Sequence, residues 1–132
     1  MADELTHAGE ELTVKQGLEQ NYDNGLYDDA TDALDKDTID PSTLTEPSGG
    51  SYARQSATPT AAKNGNWGVS YDVTFNVSDS SMDVDALFAT VNFNSTEGGS
   101  ESDWIIFGAN LTQTRDLSQI DELDVNVDVV VQ

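Results

Sequence analysis

Residues 69–77 read VSYDVTFNV, and this stretch decides the fold because apolar and polar residues alternate along its whole length. Successive side chains of a β-strand point to opposite faces of the sheet, so the two kinds of residue separate onto two faces. The apolar face carries Val69, Tyr71, Val73, Phe75 and Val77. This pattern predicts a strand in an antiparallel sheet with one buried face and one face in water.

Further strand patterns lie on both sides of this stretch. Residues 84–93, VDALFATVNF, place four apolar side chains on one face, and residues 123–131, LDVNVDVVV, alternate in the same way. Residues 104–111, WIIFGANL, form an apolar run after the polar loop NSTEGGSESD, which predicts a strand buried on both faces. Residues 52–58, YARQSAT, form a weaker candidate strand. Strands at this spacing predict an all-β protein, a single β-sandwich or jelly-roll-like domain with a short N-terminal helix.

The single domain predicted over residues 1–132 has three parts. Residues 1–27 are expected to hold the helix and a short strand, residues 28–51 an acidic loop, and residues 52–132 the β-sandwich core. The loop is rich in Asp, Thr, Ser, Pro and Gly and shows almost no periodicity, which is typical of a long surface loop.

The helix is expected within residues 5–20, LTHAGEELTVKQGLEQ, with Thr6 as the N-cap. Its apolar face is predicted to carry Ala8, Leu12 and Leu18. The short strand is expected at residues 24–29, NGLYDD, following an Asn-Gly turn.

The charge of the chain indicates its environment and restricts its partners. The 132 residues include 5 Lys and Arg against 25 Asp and Glu, which gives a formal net charge of −20. Such a surface repels itself in dilute buffer, whereas molar salt shortens the Debye length to about 3 Å. We therefore expect a halophilic source. With no basic stripe to bind phosphates, we expect neither nucleic acid nor an anionic membrane as a partner.

The sequence also argues against several kinds of site. It has no cysteine, no Gly-x-Ser-x-Gly motif, and one histidine, His7, which is interpreted as a surface or capping residue. The aspartates of residues 28–40 lack the spacing of an EF-hand loop and are interpreted as a solvated acidic surface, with no metal site. We expect no catalytic residues and no cofactor. MADELTHAGEELTV has neither a basic start nor an apolar core, so no signal peptide is expected.

Arg54 is one of two arginines, and it lies in the segment PSGGSYARQ at residues 47–55. A guanidinium–carboxylate pair keeps its hydrogen bonds in molar salt, and arginine is also enriched at interfaces. Two interpretations remain open: an internal clamp between the long loop and the sheet, or a contact between subunits. The candidate assembly residues are Tyr52, Arg54, Gln55, Val129 and Val131. Arg115 is expected to pair with nearby acids.

Several of these segments resemble a family of small virion proteins of tailed viruses. In that family a short N-terminal helix leads to a Gly-Leu-Tyr segment, here residues 25–27, then a variable loop and a Gly-Tyr-Ala-Arg-Gln motif. The motif here reads Gly50-Ser51-Tyr52-Ala53-Arg54-Gln55, with one serine inserted after the glycine. The stretch WIIFGANLTQTRDLSQIDELDV is similar to the late strands of the family. The acidic composition is closest to versions from viruses of haloarchaea.

The resemblance implies a β-sandwich with a structural role in the virion and no catalytic residues. We expect a homo-oligomer on the capsid surface, as a decoration or turret component bound to the major capsid protein or a neighbouring virion protein. A tail fibre or baseplate component is the alternative location. A carbohydrate-binding adsorption module is the alternative of another class, and it requires an exposed aromatic side chain. Trp104 is expected to be buried, and Trp67 is the candidate for exposure.

Overall fold

The computed structural model describes residues 4–131, which form two antiparallel sheets and one short helix. The helix α1 spans His7–Thr13 and continues into a π-helical turn at Val14–Leu18. The strands are β1 Tyr22–Tyr27, β2 Gln55–Ala57, β3 Thr60–Asn64, β4 Asn66–Asn76, β5 Asp83–Ser95, β6 Ser100–Asp116 and β7 Glu122–Val130. Single 3₁₀ turns lie at Pro41–Thr43 and Leu117–Gln119. The prediction of an all-β, sandwich-like fold with a short N-terminal helix is confirmed.

The two sheets enclose the main core. One sheet has the strand order β2-β1-β5-β6 and the other has the order β3-β4-β7. β4 contains the stretch VSYDVTFNV and lies at the centre of the three-stranded sheet, where Val73 pairs with Val125 and Phe75 with Leu123. The odd-numbered residues are buried from Val69 to Phe75 in β4 and from Leu123 to Val127 in β7, and the residues between them are largely exposed. The strand predicted at residues 69–77 is therefore confirmed, with its buried face as expected.

The helix is shorter than predicted and presents a different face to the core. Thr6 is the N-cap, as expected, because its side chain accepts a hydrogen bond from the amide of Gly9 at 3.1 Å. The predicted apolar face is wrong for Ala8, which is exposed, and for Leu12, which is 62% exposed, whereas Leu18 is half-buried and packs against the main core. Glu10 and Val14 are buried instead, because four-residue spacing places them together on the side of the helix that meets β4.

The first strand begins earlier than predicted, and the Asn-Gly pair lies inside it. Asn24 and Gly25 pair with Ala89 and Phe88 of β5, so they form no turn. Glycine is required at position 25 because a Cβ there would lie 2.6 Å from Cε1 of Phe88. The Asn-Gly pair alone predicts a turn because the sequence does not show that another side chain packs against this backbone.

The long loop covers the outer face of the four-stranded sheet. Leu44 of the loop joins Tyr27, Ala86, Phe88 and Ile105 in a second buried cluster, against which Leu34 also packs. β5 is consequently buried on both faces over most of its length. Residues 28–51 are a loop apart from one 3₁₀ turn and an isolated bridge from Ser48 to Ser81, and part of this loop packs against the sheet.

β6 differs from its predicted burial. It is an edge strand, and within the predicted run 104–111 only Ile105 is buried. β6 extends beyond that run at both ends. It pairs with β5 from Ser100, opposite Ser95, to Asp116, opposite Asp83, so most of the predicted polar loop is strand. The candidate strand at residues 52–58 is reduced to the three residues of β2, and β3 has no counterpart among the predicted strands. Within residues 4–131, no helix has the length and apolar character needed to cross a bilayer.

Candidate functional site

Arg54 forms a forked ion pair with Glu46 of the long loop. Its Nη2 donates to Oε2 of Glu46 at 2.7 Å, and its Nε donates to Oε1 at 3.0 Å and Oε2 at 3.2 Å. The side chains of Arg54 and Glu46 are only 29% and 21% exposed. Fork-like guanidinium–carboxylate pairs combine charge with fixed geometry, so this contact ties the loop to the segment that enters β2.

Tyr52 extends this pair to the first strand. Its hydroxyl donates to Oε1 of Glu46 at 2.7 Å and accepts from the backbone amide of Leu26 in β1 at 3.0 Å. Its ring stacks on Phe75 of the main core, with the centroids 6.1 Å apart. We name Glu46, Tyr52 and Arg54 together the clamp. It connects the loop, β1 and the core of the sandwich.

The clamp lies against the cluster beneath the loop. The guanidinium carbon of Arg54 is 5.3 Å from the ring centroid of Phe88, within the range of a cation–π contact. Gly25 makes this approach possible, because a Cβ there would lie 2.7 Å from Oε1 of Glu46. The internal interpretation of Arg54 therefore describes a contact that the chain makes within itself.

The electrostatics of the clamp follow from burial and hydrogen bonding. The hydrogen bond to Glu46 raises the pKa of Arg54, and burial raises the pKa of the Tyr52 hydroxyl well above its usual range. Burial also raises the pKa of Asp23, and the nearby charge of Arg54 opposes that rise. A tyrosine that stays neutral and an arginine that stays charged keep the clamp's hydrogen bonds intact across the neutral pH range.

The five predicted assembly residues do not form one surface. Tyr52, Arg54 and Gln55 lie at the β2 edge of the four-stranded sheet, where the backbone carbonyl of Gln55 accepts from Asn24 Nδ2 at 3.0 Å. Val129 and Val131 lie at the end of β7, half-buried and packed against the main core. Their role in assembly stays a prediction.

β7 is an edge strand, and its even-numbered residues form a free backbone edge. Val131 donates its amide to the carbonyl of Trp67, and Val77 donates to the carbonyl of Asp121, both at 2.8 Å. The hydrogen-bonding groups of a strand alternate in direction, so the odd-numbered residues of β7 turn theirs toward β4. The groups of the even-numbered residues consequently point away from the sheet, in which β7 is the last strand; these residues are Glu122, Asp124, Asn126, Asp128 and Val130.

A cleft of about 220 Å³ separates the edges of β6 and β7. It is lined by Asn110, Leu111, Thr112, Gln113, Arg115, Leu123, Asp124, Val125 and Asn126. The expectation that Arg115 pairs with local acids is wrong for the described part of the chain, where the ion pairs within 4.0 Å do not include it. Asp124, which shares the cleft, accepts instead from the hydroxyl of Thr74 at 2.5 Å.

Aspartates of the long loop organise its backbone. Asp29 accepts from the amide of Leu34 at 2.9 Å and from the hydroxyl of Tyr27 at 2.8 Å. Asp32 accepts from the amide of Thr45 at 3.0 Å, across 13 residues. Over residues 4–131 no three Asp, Glu or His side chains are grouped in a way that could hold a metal ion. These carboxylates thus act as local acceptors, which is how aspartate commonly stabilises turns.

The burial of the two tryptophans and of His7 can be compared with the predictions made for them. Both tryptophans are half-buried: Lys15 Nζ lies 5.6 Å from the ring centroid of Trp67, and Gly98 packs against the ring of Trp104. Trp104 is thus less buried than predicted. His7 is exposed near the start of α1 and contacts Oε1 of Glu10 through Nδ1 at 2.8 Å, as expected for a surface residue.

No protein-family model, curated protein or solved structure matches the chain.

Proposed function

We propose that this chain is a non-catalytic structural protein of the virion of a haloarchaeal tailed virus. In this proposal it assembles as a homo-oligomer on the capsid surface, as a decoration or turret component bound to the major capsid protein or a neighbouring virion protein. The sequence resemblance supplies the class of protein. The role of the clamp supports the structural part of the proposal.

The observation that carries the proposal is the use of the Tyr-Ala-Arg-Gln motif. Tyr52 and Arg54 carry the phenol and guanidinium groups of the motif. Both side chains hydrogen-bond to Glu46 in the clamp. A motif that connects a loop, a strand and a core contributes rigidity. Rigidity suits a subunit that is repeated in many copies at equivalent positions of a symmetric particle.

The outer face of the three-stranded sheet supports a surface position in brine. Asp72, Asp124 and Asp128 are exposed on this face, and the register places Asp72 diagonal to both of the others. Screening in molar salt allows such a face to stay folded and hydrated. A surface of this kind is suited to contact with a salt medium.

Quantitative mass spectrometry of purified virions tests the proposal. The virus that encodes the chain is purified in molar salt, and the copy number of this protein is scaled to that of the major capsid protein. We expect a sizeable fraction of the capsid protein's copy number. A handful of copies per particle would place the protein in the tail or baseplate, and its complete absence would overturn the virion assignment.

A further inference from the structure

We propose that β7 pairs antiparallel with β7 of a second copy of this chain, around a two-fold axis at Val127. The inference rests on the proposed homo-oligomer and identifies the surface that forms it. The pairing joins two three-stranded sheets into one continuous six-stranded sheet. It is a form of strand addition, in which backbone hydrogen bonds supply affinity and side chains select the register.

The first support is the direction of the backbone groups on the free edge. Asp124, Asn126, Asp128 and Val130 direct their N–H and C=O groups away from β4, as the hydrogen bond from Val131 to Trp67 shows by alternation. An unpaired edge of this length is a template for another strand. The side chains of the first three residues are exposed, so an approaching strand can reach this edge.

The second support is the register of self-pairing, which favours β7 of a second copy as the partner strand. With the axis at Val127, Asp124, Asn126, Asp128 and Val130 pair among themselves, and Glu122, the fifth outward-facing residue of β7, lies opposite a position beyond the strand's end at Val130. Asn126 then lies opposite Asp128 of the second copy, and Asp124 lies opposite Val130. No two carboxylates face each other. An axis one residue away places Asp124 opposite Asp128, or Asp128 opposite its own copy, and like charges directly opposite are destabilising.

The side chains on the outer face fit this register. Asn126 Nδ2 donates one hydrogen bond to Asp72 at 2.8 Å, and its second N–H can donate to Asp128 of the second copy. Oδ2 of Asp128 accepts from Asn64 at 3.1 Å, so its other oxygen can accept that bond. The symmetry of the pair repeats this contact on both sides of the axis.

The inner face fits it equally well. The same register places Val127 opposite Val127, Val125 opposite Val129, and Leu123 opposite Val131. Every pair on the core side is apolar, so the joined sheet keeps one apolar face across the junction. β7 thus matches a second copy of itself on both faces. A strand from an unrelated protein would match it only by chance.

Hydrogen exchange of the intact chain in molar KCl tests the pairing. We expect the amides of Asp124, Asn126, Asp128 and Val130 to exchange rapidly in dilute, monomeric samples. They should slow by about tenfold or more at concentrations where ultracentrifugation shows a dimer. The amides of Val125, Val127 and Val129 should be protected in both samples. A protein that remains monomeric at every concentration, or a dimer whose even-numbered amides stay unprotected, would overturn the proposal.

A charge substitution tests the register. Asn126→Asp places carboxylates opposite Asp128 on both sides of the axis, so we expect dimerisation to weaken by roughly tenfold or more, and further as the salt is lowered. Gln16→Glu adds the same charge at an exposed site on the π-helical turn and should leave dimerisation unchanged. Equal dimerisation of both variants would refute the register.

Circular dichroism first establishes that each variant is folded, and hydrogen exchange of the original chain decides the question if Asn126→Asp is not. Virion mass spectrometry separates the two proposals. A virion protein without protected β7 amides would retain the proposed function and lose this interface.

Discussion

Replacing Arg54 with alanine is expected to destabilise the monomer, because the clamp lies within one chain. The substitution removes three N–H···O contacts of 2.7 to 3.2 Å and leaves the carboxylate of Glu46 with Tyr52 as its remaining donor in the clamp. Arg54→Ala also removes the cation–π contact with Phe88.

The magnitude follows from the burial of the pair. Breaking a fully buried ion pair costs about 3–5 kcal/mol, whereas an exposed pair contributes at most about 1 kcal/mol. Arg54 and Glu46 are 29% and 21% exposed, so water replaces part of the lost hydrogen bonding. We expect the free energy of unfolding to fall by about 2–3 kcal/mol, between these two limits.

Urea unfolding at constant molar KCl measures this loss, at protein concentrations low enough for the monomer to dominate. Arg115→Ala is the matched control, since the ion pairs found among residues 4–131 do not include Arg115. It should cost less than about 1 kcal/mol. A double-mutant cycle with Glu46→Ala should show that Arg54 and Glu46 are coupled.

The opposite result would refute the internal clamp. If Arg54 acts between subunits, Arg54→Ala leaves the unfolding midpoint of the monomer unchanged and lowers only the extent of association. Unfolding curves collected over a range of protein concentrations distinguish these outcomes, because only an oligomer has a midpoint that depends on concentration.

Three other perturbations have defined outcomes. Gly25→Ala should lower the free energy of unfolding in urea by about 1–3 kcal/mol because its Cβ would lie 2.6 Å from Phe88. Gly17→Ala is the control and should cost nothing, because open space surrounds that position. Equal losses of stability in the two variants would contradict the packing described for Gly25. Burial raises the pKa of Tyr22 to about 12, and those of the other tyrosines also rise, so stability should be full below pH 10 and fall as the pH rises toward 12. Tyrosinate absorbance that appears near pH 10 while the circular dichroism stays native would refute this. Transfer from molar KCl to dilute buffer should unfold the chain, and an unchanged circular dichroism spectrum would refute the halophilic interpretation.

The strands were predictable where one face is buried and the other is wet. Alternation located β4, β5 and β7 because side-chain direction and burial follow the same two-residue period. It failed at β3, whose residues TAAKN are mostly small or polar and belong to an edge strand. It also missed the ends of β6, where pairing with β5 supplies backbone hydrogen bonds that do not depend on apolar side chains.

The burial of β5 and β6 depends on the long loop, whose packing against the sheet cannot be predicted from its sequence pattern. Residues 28–51 have no periodicity, yet Leu34 and Leu44 reach the outer face of β5 and bury it. Hydrophobicity alone predicts a doubly buried strand for the apolar run at 104–111. In the strand order β2-β1-β5-β6 the doubly buried strand is β5, and β6 lies at the edge of the sheet.

The clamp was half predictable. The scarcity of cations singled out Arg54, and the chemistry of guanidinium in salt suggested a carboxylate partner. With 25 acidic residues, nothing in the sequence selected Glu46. Gly25 was the missing signal: a glycine within a strand marks a place where another group approaches the backbone closely, and here that group is the clamp.

The free edge shows why apolar residues are a poor guide to strand pairing. Val129 and Val131 are apolar and are predicted as assembly residues, but the odd-numbered residues of β7 turn both side chain and amide toward their own fold. The residues that present backbone donors on the free edge include Asp124 and Asp128. Aspartates at these positions oppose the registers centred on Asn126 and on Asp128. They leave the register centred on Val127 free of facing carboxylates, so the same charges that discourage indiscriminate pairing select one way for two copies to join.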